Sequence, residues 1–105
     1  MLLFGKKRGI NSGVEEYKKT EGALLIDVRE INEYRNGHIP GAVNVPLSSI
    51  QSDIIKTAPD NSVPLFVYCR SGARSGKAAN VLKKMGYGMV KNIGGINSFK
   101  GDIAK

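Results

Sequence analysis

Short apolar runs alternate with helix-like segments along this chain, and this alternation limits the fold more than any other feature. Four runs have the length of a strand: "ALLID", "AVNV", "VPLFVYC" and "GMVKNI". A continuously apolar run such as "ALLID" is typical of a strand that is buried on both faces, as in a parallel sheet. The sequence therefore predicts an α/β domain in which a mostly parallel sheet carries helices on both faces.

The segments between these runs have helical patterns. "GVEEYKK" is expected to begin after Ser12, and "REINEYRNG" is expected to end at Asn36. The clearest helix follows Cys69, and Gly86 is expected to end it. Its apolar residues fall at i, i+3, i+4 and i+7, which places them on one face: Ala78, Val81, Leu82 and Met85.

Length and cysteine content indicate the class of protein. A chain of 105 residues is long enough for one core but not for two. We expect an N-terminal extension over residues 1–9 and one domain over residues 10–105.

The apolar runs are far shorter than the roughly 20 residues of a membrane span, and "MLLFGKKRG" lacks the pattern of a signal peptide. Cys69 has no second cysteine with which to form a disulfide or a CxxC pair, which favours a reducing compartment. We therefore expect a cytoplasmic protein with no membrane partner.

The chain is basic, with a formal net charge of +7. Its basic residues are spread in short clusters without interleaved aromatic residues, which is typical of a solvated surface rather than of nucleic-acid recognition. We expect no nucleic-acid partner. A basic surface also raises the local concentration of small anions and speeds their capture.

The stretch "VYCRSGARS" holds the only cysteine of the chain, at the end of the most strand-like run. Small or basic residues separate Cys69 from the next helix. A turn of this kind aims successive backbone N–H groups into one concavity, and the helix N-terminus adds positive potential there. Both effects favour a thiolate, because a cysteine pKa near 8.5 falls to about 3.5–7.5 in such surroundings. A lone cysteine is more often a buried apolar residue, but this loop is poor packing material, so we interpret Cys69 as a nucleophile.

Two chemistries use a cysteine and an arginine that flank a cradle of N–H groups. One is phosphoryl transfer through a phosphocysteine, and the other is sulfur transfer through a persulfide. The tyrosine-phosphatase pattern is Cys-x5-Arg, whereas four residues separate Cys69 from Arg74. The tighter loop favours a single sulfur atom bonded to Cys69. A phosphatase or arsenate reductase on the same fold is the alternative enzyme, and a non-catalytic interaction module is the third hypothesis.

Three stretches together resemble the signatures of the single-domain rhodaneses, a family of sulfurtransferases. They are "LLIDVREINEYRNGHIPGAVNVPL", "PLFVYCRSGARSGKAANVLKKMGY" and "NIGGINSFKG". The resemblance implies a five-stranded, mostly parallel sheet. It also implies that the Cys69 thiolate takes a sulfane sulfur from an anionic donor such as thiosulfate and passes it to cyanide, a thiol or a protein. Neither a metal nor an organic cofactor is implied, because the thiol carries the sulfur covalently.

The same resemblance assigns roles to individual residues, with Cys69 as the catalytic nucleophile. The substrate-binding loop is formed by six residues: Arg70, Ser71, Gly72, Ala73, Arg74 and Ser75. Arg74 and Arg70 are expected to attract the sulfonate end of the donor, and Ser71 is expected to hydrogen-bond the sulfur.

Three further positions match family motifs away from the loop. Asp27 and Arg29 are expected to form a structural pair that fixes loops near the site. His38, the only histidine, is expected to pin a turn by hydrogen bonds, with Glu33 and Tyr34 as anchors of the same turn. A role for His38 as a catalytic base is disfavoured, since a loop of N–H groups makes a base unnecessary.

Overall fold

The computed structural model describes residues 9–105, so residues 1–8 of the predicted N-terminal extension lie outside the described residues. Helices and strands alternate, as the sequence predicts. In chain order they are α1 (Ile10–Lys19), β1 (Leu24–Asp27), α2 (Ile31–Arg35), β2 (Val43–Asn44), α3 (Ile50–Thr57), β3 (Leu65–Cys69), α4 (Ala73–Lys84) and β4 (Val90–Gly95). Short 3-10 turns lie at Leu47–Ser49 and Ile96–Ser98. The longest of these helices has 12 residues, and none in residues 9–105 has the length and apolar character to cross a bilayer.

The strands form one sheet in the order β2-β1-β3-β4, and all three pairings are parallel. The prediction of five strands is wrong for residues 9–105, which form four. Each of the four strand-like runs of the sequence becomes one strand, and the rest of this part of the chain forms helices, turns and loops. Near the C-terminus the chain makes only an isolated antiparallel bridge between His38 and Ala104, which is too short to be a strand.

Each face of the sheet carries its own apolar core, because β3 is buried on both sides. Leu65, Val67 and Cys69 belong to the core on one face, and Phe66 and Tyr68 belong to the core on the other. The first core is completed by α3 and α4, and the second by α1. The buried helix residues that close these cores are Ile50, Ile54, Ala78, Ala79 and Leu82 on the first face and Ile10 and Val14 on the second. Helices thus cover both faces, as the sequence predicts.

The carboxyl ends of the strands meet at one edge of the sheet. The last residues of β1, β2, β3 and β4 are Asp27, Asn44, Cys69 and Gly95. The register places Asp27 beside Asn44 and Cys69 beside Gly95. This edge is where α/β sheets place their sites, and it carries the side chains of Asp27, Asn44 and Cys69.

Candidate active site

Cys69 lies where β3 ends, and only 1% of its surface is exposed. The residues that follow, 70–75, are called the cysteine loop below. The Gly72 N–H donates to Cys69 Sγ at 3.0 Å, and the Ser75 hydroxyl lies 3.4 Å from Sγ. The backbone N–H groups of Ser71 and Ser75 also favour the charged form of the sulfur and lower the pKa of the thiol. The sulfur therefore lies in a cradle of backbone N–H groups and the Ser75 hydroxyl.

Gly72 makes the tight turn that forms this cradle. It has a φ of +106°, in the left-handed region that favours glycine, and it immediately precedes α4. The first N–H groups of a helix have no partner within the helix. The turn at Gly72 brings its own N–H and that of Ser75, in the first turn of α4, to the sulfur, and the helix dipole adds positive potential at the same point.

The pKa of the Cys69 thiol lies below its ordinary value. Burial is the largest single influence, and it acts in the opposite direction because it disfavours the charged thiolate. The hydrogen bonds from the Ser75 hydroxyl and from the N–H groups of Ser75, Gly72 and Ser71 together outweigh it. The loop thus stabilises the nucleophilic form of the cysteine.

The serine hydroxyl at the sulfur is that of Ser75 rather than that of Ser71. Ser71 is exposed and contributes its backbone N–H. Ser75 is fully buried, and its position in the first turn of α4 aims its hydroxyl at the sulfur. Ala73, the first residue of α4, is exposed.

Gly95 of β4 allows the cysteine loop to pack directly on the sheet. A Cβ atom at Gly95 would overlap the carbonyl oxygen of Arg70 and the Cα of Ser71. The Gly95 backbone itself is ordinary extended chain, with a φ of −126°, so the requirement is one of space rather than of conformation. The Asn97 N–H donates to the Arg70 carbonyl at 3.2 Å. The second glycine of "NIGGINSFKG", Gly95, therefore leaves the space in which the loop packs, which the sequence did not reveal.

The Arg74 side chain is held by Glu33 of α2. Nη1 and Nη2 of Arg74 donate to Oε1 and Oε2 of Glu33 at 2.7 and 2.9 Å. The hydrogen bonds from Arg74 are the main reason that the pKa of Glu33 falls to about 2, and the same bonds raise the pKa of Arg74. Arg74, predicted to face an anionic donor, thus has two of its nitrogens occupied by a carboxylate and ties the cysteine loop to α2.

Asp27, the last residue of β1, and Arg29 form a buried ion pair. Arg29 Nε donates to Asp27 Oδ1 at 3.0 Å, and Nη2 donates to Oδ2 at 2.7 Å. Nη2 also donates to the Gly37 carbonyl at 2.7 Å, which joins β1 to the turn after α2. Burial opposes the charged form of Arg29, but the hydrogen bonds and charge of Asp27 outweigh it, so the pKa of Arg29 is raised. The Asn44 side chain, which the sequence did not single out, donates to the carbonyls of Asp27 and Arg29, each at 2.9 Å.

His38 lies in the turn after α2. Its ring stacks on that of Tyr34, with centroids 3.8 Å apart. His38 Nδ1 lies 2.9 Å from the Tyr34 carbonyl oxygen, which can only accept, so Nδ1 carries the proton. The His38 backbone pairs with Ala104, and the Tyr34 hydroxyl donates to the Ala42 carbonyl at 2.6 Å. Both side chains are thus engaged within the turn.

A small cleft lies beside the cysteine loop, with a volume of about 270 Å³. Its lining includes the exposed Arg70, Asn36 and Asn97, together with Arg29 and Glu33. The charges of Arg29 and Glu33 are paired with those of Asp27 and Arg74. The cleft therefore offers the cation of Arg70 and two carboxamides to a small anion. Within residues 9–105, no group of three or more His, Cys, Asp or Glu side chains is arranged to hold a metal ion.

The family model for the Rhodanese-like domain matches residues 12–102 of this chain. The chain belongs to the rhodanese-like family.

Named relatives and a solved structure agree with this assignment. The thiosulfate sulfurtransferase PspE of Escherichia coli (strain K12) is 41% identical over 71 residues, which are 68% of each chain. The thiosulfate:glutathione sulfurtransferase of Saccharomyces cerevisiae is 36% identical over 81 residues, 67% of this chain and 58% of that protein. A structure of a rhodanese with anions from E. coli has a TM-score of 0.74 and 36% identity, and the match covers 79% of this chain and 98% of that one.

Proposed function

We propose that this protein is a sulfurtransferase that carries a sulfane sulfur as a persulfide on Cys69. The observation that supports this most strongly is the cradle of N–H groups and one hydroxyl around Sγ. Such a cradle stabilises a thiolate, and it would stabilise the negative charge on the outer sulfur of a persulfide in the same way. Relatives named as thiosulfate sulfurtransferases support thiosulfate as the donor.

The reaction has two steps that balance without a redox partner. The Cys69 thiolate attacks the sulfane sulfur of thiosulfate, a bond forms between that sulfur and Sγ, and the S–S bond of thiosulfate breaks. Its electron pair leaves with sulfite. The acceptor, cyanide or a thiolate, then attacks the outer sulfur, and the electron pair of the broken bond restores the thiolate. No proton is transferred at the cysteine, so neither step requires His38 as a base.

Arg70 is the residue we propose for attracting the sulfonate end of the donor. It is exposed, lies at the start of the cysteine loop and lines the adjoining cleft. Arg74 acts instead on the loop itself, because Glu33 engages its guanidinium through two bonds. Asp27, Arg29 and His38 are proposed as structural supports of the same edge.

The arrangement of Arg74 also weighs against phosphate chemistry. A phosphocysteine enzyme needs an arginine whose guanidinium is available to the phosphate oxygens. Here the loop is one residue shorter than the phosphatase pattern, and Arg74 is paired with Glu33.

For the acceptor, an accessible small thiol or a protein thiol is proposed, and the name of the yeast relative supports glutathione as one such thiol. A cytoplasmic location and the division into residues 1–9 and 10–105 stay predictions.

Two separate assays, of thiocyanate formation and of phosphate-ester turnover, test this function. We expect the wild type to form thiocyanate from thiosulfate and cyanide, and Cys69→Ser to form none above the uncatalysed rate. Arg70→Ala should raise the KM for thiosulfate more than it lowers kcat, because it removes attraction rather than chemistry. Turnover of a phosphate ester without thiocyanate formation would contradict the proposal and favour the phosphatase alternative. Absence of both activities would favour the interaction module.

A further inference from the structure

Asn92 of β4 contacts the cysteine loop through both ends of its side-chain amide. Oδ1 lies 2.7 Å from the Ser75 hydroxyl and accepts from the Gly94 N–H at 3.1 Å, while Nδ2 donates to the Gly72 carbonyl at 3.0 Å. The Gly94 N–H can only donate and the Gly72 carbonyl can only accept, so these two partners determine which atom of the Asn92 amide is the oxygen. Asn92 thus touches Gly72 and Ser75, two of the residues that donate to Sγ of Cys69.

A local irregularity of β4 places Asn92 there. Val67 of β3 pairs with Asn92, but the next residue, Tyr68, pairs with Gly94, so β4 holds one extra residue at this point. Such a bulge redirects side chains and often lies next to a functional site. The side chain that it directs to the loop is uncharged, and Asn92 is an exposed residue.

Ser75 has one hydroxyl proton and three acceptors within reach. They are Asn92 Oδ1 at 2.7 Å, the Gly72 carbonyl at 3.2 Å and Cys69 Sγ at 3.4 Å. A hydroxyl donates one hydrogen bond at a time but can also accept. When Cys69 is a thiol, its S–H can donate to Ser75 Oγ while the Ser75 proton is donated to Asn92. A thiolate can only accept, so the Ser75 hydroxyl stabilises it only when the Ser75 proton turns towards the sulfur.

We propose that Asn92 is a positioning residue, which holds the Ser75 proton while Cys69 is a thiol and yields it to the sulfur when the thiolate or persulfide forms. The Ser75 proton only rotates about the C–O bond, and the cysteine proton leaves to solvent. Asn92 Oδ1 still has a hydrogen-bond donor after this change, because it continues to accept from the Gly94 N–H. The effect of Asn92 on turnover depends on the proposed sulfur transfer. The position of the Ser75 proton does not depend on it.

The charges around this network belong to other side chains and stay unchanged when Asn92 is replaced. Arg74 of α4 is the cation whose charge interacts with that of Cys69, and it is paired with Glu33. The other charged groups of the neighbouring segments are either paired or exposed: Asp27 with Arg29, Lys91 of β4 with Glu16 of α1, and the exposed Arg70. A change in the ionisation of Cys69 on replacing Asn92 therefore reports on hydrogen bonding rather than on charge.

The test is the Asn92→Leu variant, which removes all three hydrogen bonds without adding a charge. The thiol form loses the nearest acceptor of the Ser75 proton and keeps only the Gly72 carbonyl at 3.2 Å, whereas in the thiolate form that proton is donated to the sulfur. We expect the pKa of Cys69 to fall by up to about one unit. The measurement is the rate of alkylation by iodoacetamide as a function of pH, and circular dichroism verifies the fold. Asn92→Ala should give the same direction and serves if Asn92→Leu does not fold.

The matched control is the same substitution in a Ser75→Ala background. Without the hydroxyl there is no proton to position, so Asn92→Leu should leave the pKa of Cys69 where Ser75→Ala alone puts it. A rise in the pKa on Asn92→Leu would mean that Asn92 only anchors the loop, and no shift would mean that it is uncoupled; either result overturns the proposal. An equal fall in both backgrounds would overturn it as well, because the effect would not pass through Ser75. Alkylation requires no sulfur donor, so this result and the failure or success of sulfur transfer are independent.

Discussion

At the scale of single residues, the ionisation of Cys69 is a competition between burial and hydrogen bonding. Burial raises the cost of a thiolate, and donors from three positions of the cysteine loop offset it. The sequence identified the cysteine and the loop, because a lone Cys before small residues and a helix is a local pattern. It could not identify which serine supplies the hydroxyl. That depends on the helical geometry that places Ser75, and not Ser71, over the sulfur.

The two serines therefore give a matched pair of variants. Ser75→Ala removes a donor from the thiolate, and we expect the pKa of Cys69 to rise by up to about one unit. Ser71→Ala removes an exposed side chain and keeps the backbone N–H, so the pKa should be unchanged. Iodoacetamide alkylation as a function of pH measures both. An equal rise in the two variants would contradict the assignment of the hydroxyl at the sulfur to Ser75.

At the scale of secondary-structure elements, the cysteine loop is supported from two directions. Gly95 of β4 packs against the loop backbone, and Glu33 of α2 forms an ion pair with Arg74. The sequence predicted the alternation of elements and the stop of α4 at Gly86 from local signals. It placed the start of α1 after Ser12, whereas the helix begins at Ile10. Ile10 is buried in the core beside β4, and this packing is not visible in a local pattern.

Gly95→Ala tests the support from β4. The added methyl group would overlap the backbone of the cysteine loop, and we expect a loss of about 1–3 kcal/mol in the free energy of unfolding. Thiocyanate formation should fall by more than the folded fraction does, since the loop itself must move. Urea denaturation and the assay measure the two effects.

Gly88→Ala is the control for that substitution, because a Cβ at Gly88 would meet no atom of residues 9–105 within 4 Å. Its stability and activity should stay close to those of the wild type. Wild-type behaviour of Gly95→Ala itself would contradict the close packing of loop and strand.

The pair between Glu33 and Arg74 predicts a pH dependence. The pKa of Glu33 is lowered from 4.5 to about 2, so its stabilising effect is complete above the unfolded value and is lost as the pH falls through about 2. Because both side chains are about one third exposed, the pair contributes at most about 1 kcal/mol. We expect Glu33→Gln to be less stable than the wild type by a constant amount above roughly pH 5, with the difference shrinking at lower pH.

Urea denaturation at several pH values measures this difference. Glu15→Gln is the control, because the ion pair that Glu15 makes within residues 9–105 is an exposed contact with Lys18 at 4.0 Å. The pair would be shown to have no stabilising effect if Glu33→Gln matched the wild type at neutral pH.

At the scale of the whole molecule, contacts between distant parts of the chain assemble the site. Glu33 and Arg74 are 41 residues apart, and Ser75 and Asn92 are 17 apart. The parallel sheet brings the strand ends together, so the sequence could predict the edge at which the site lies. It could not predict these side-chain pairs, because they depend on how the elements pack. The net charge of +7, in contrast, is a property that the sequence states directly.

That charge should accelerate the reaction of Cys69 with anions. With Cys69 fully ionised, we expect alkylation by iodoacetate, an anion, to slow several-fold as the salt concentration rises from about 0.01 to about 1 M, where the screening length falls from about 30 to about 3 Å. Alkylation by iodoacetamide, which is neutral, should change little. Equal salt effects on the two reagents would rule out electrostatic attraction at this site.

The most direct test of the account is the mass of the protein after it meets a sulfur donor. Incubation with thiosulfate should add about 32 Da, one sulfur atom, at Cys69. Cyanide should then remove that mass and yield one thiocyanate for each persulfide, while Cys69→Ser should gain nothing. An unchanged mass of the folded wild-type protein would contradict the proposed persulfide.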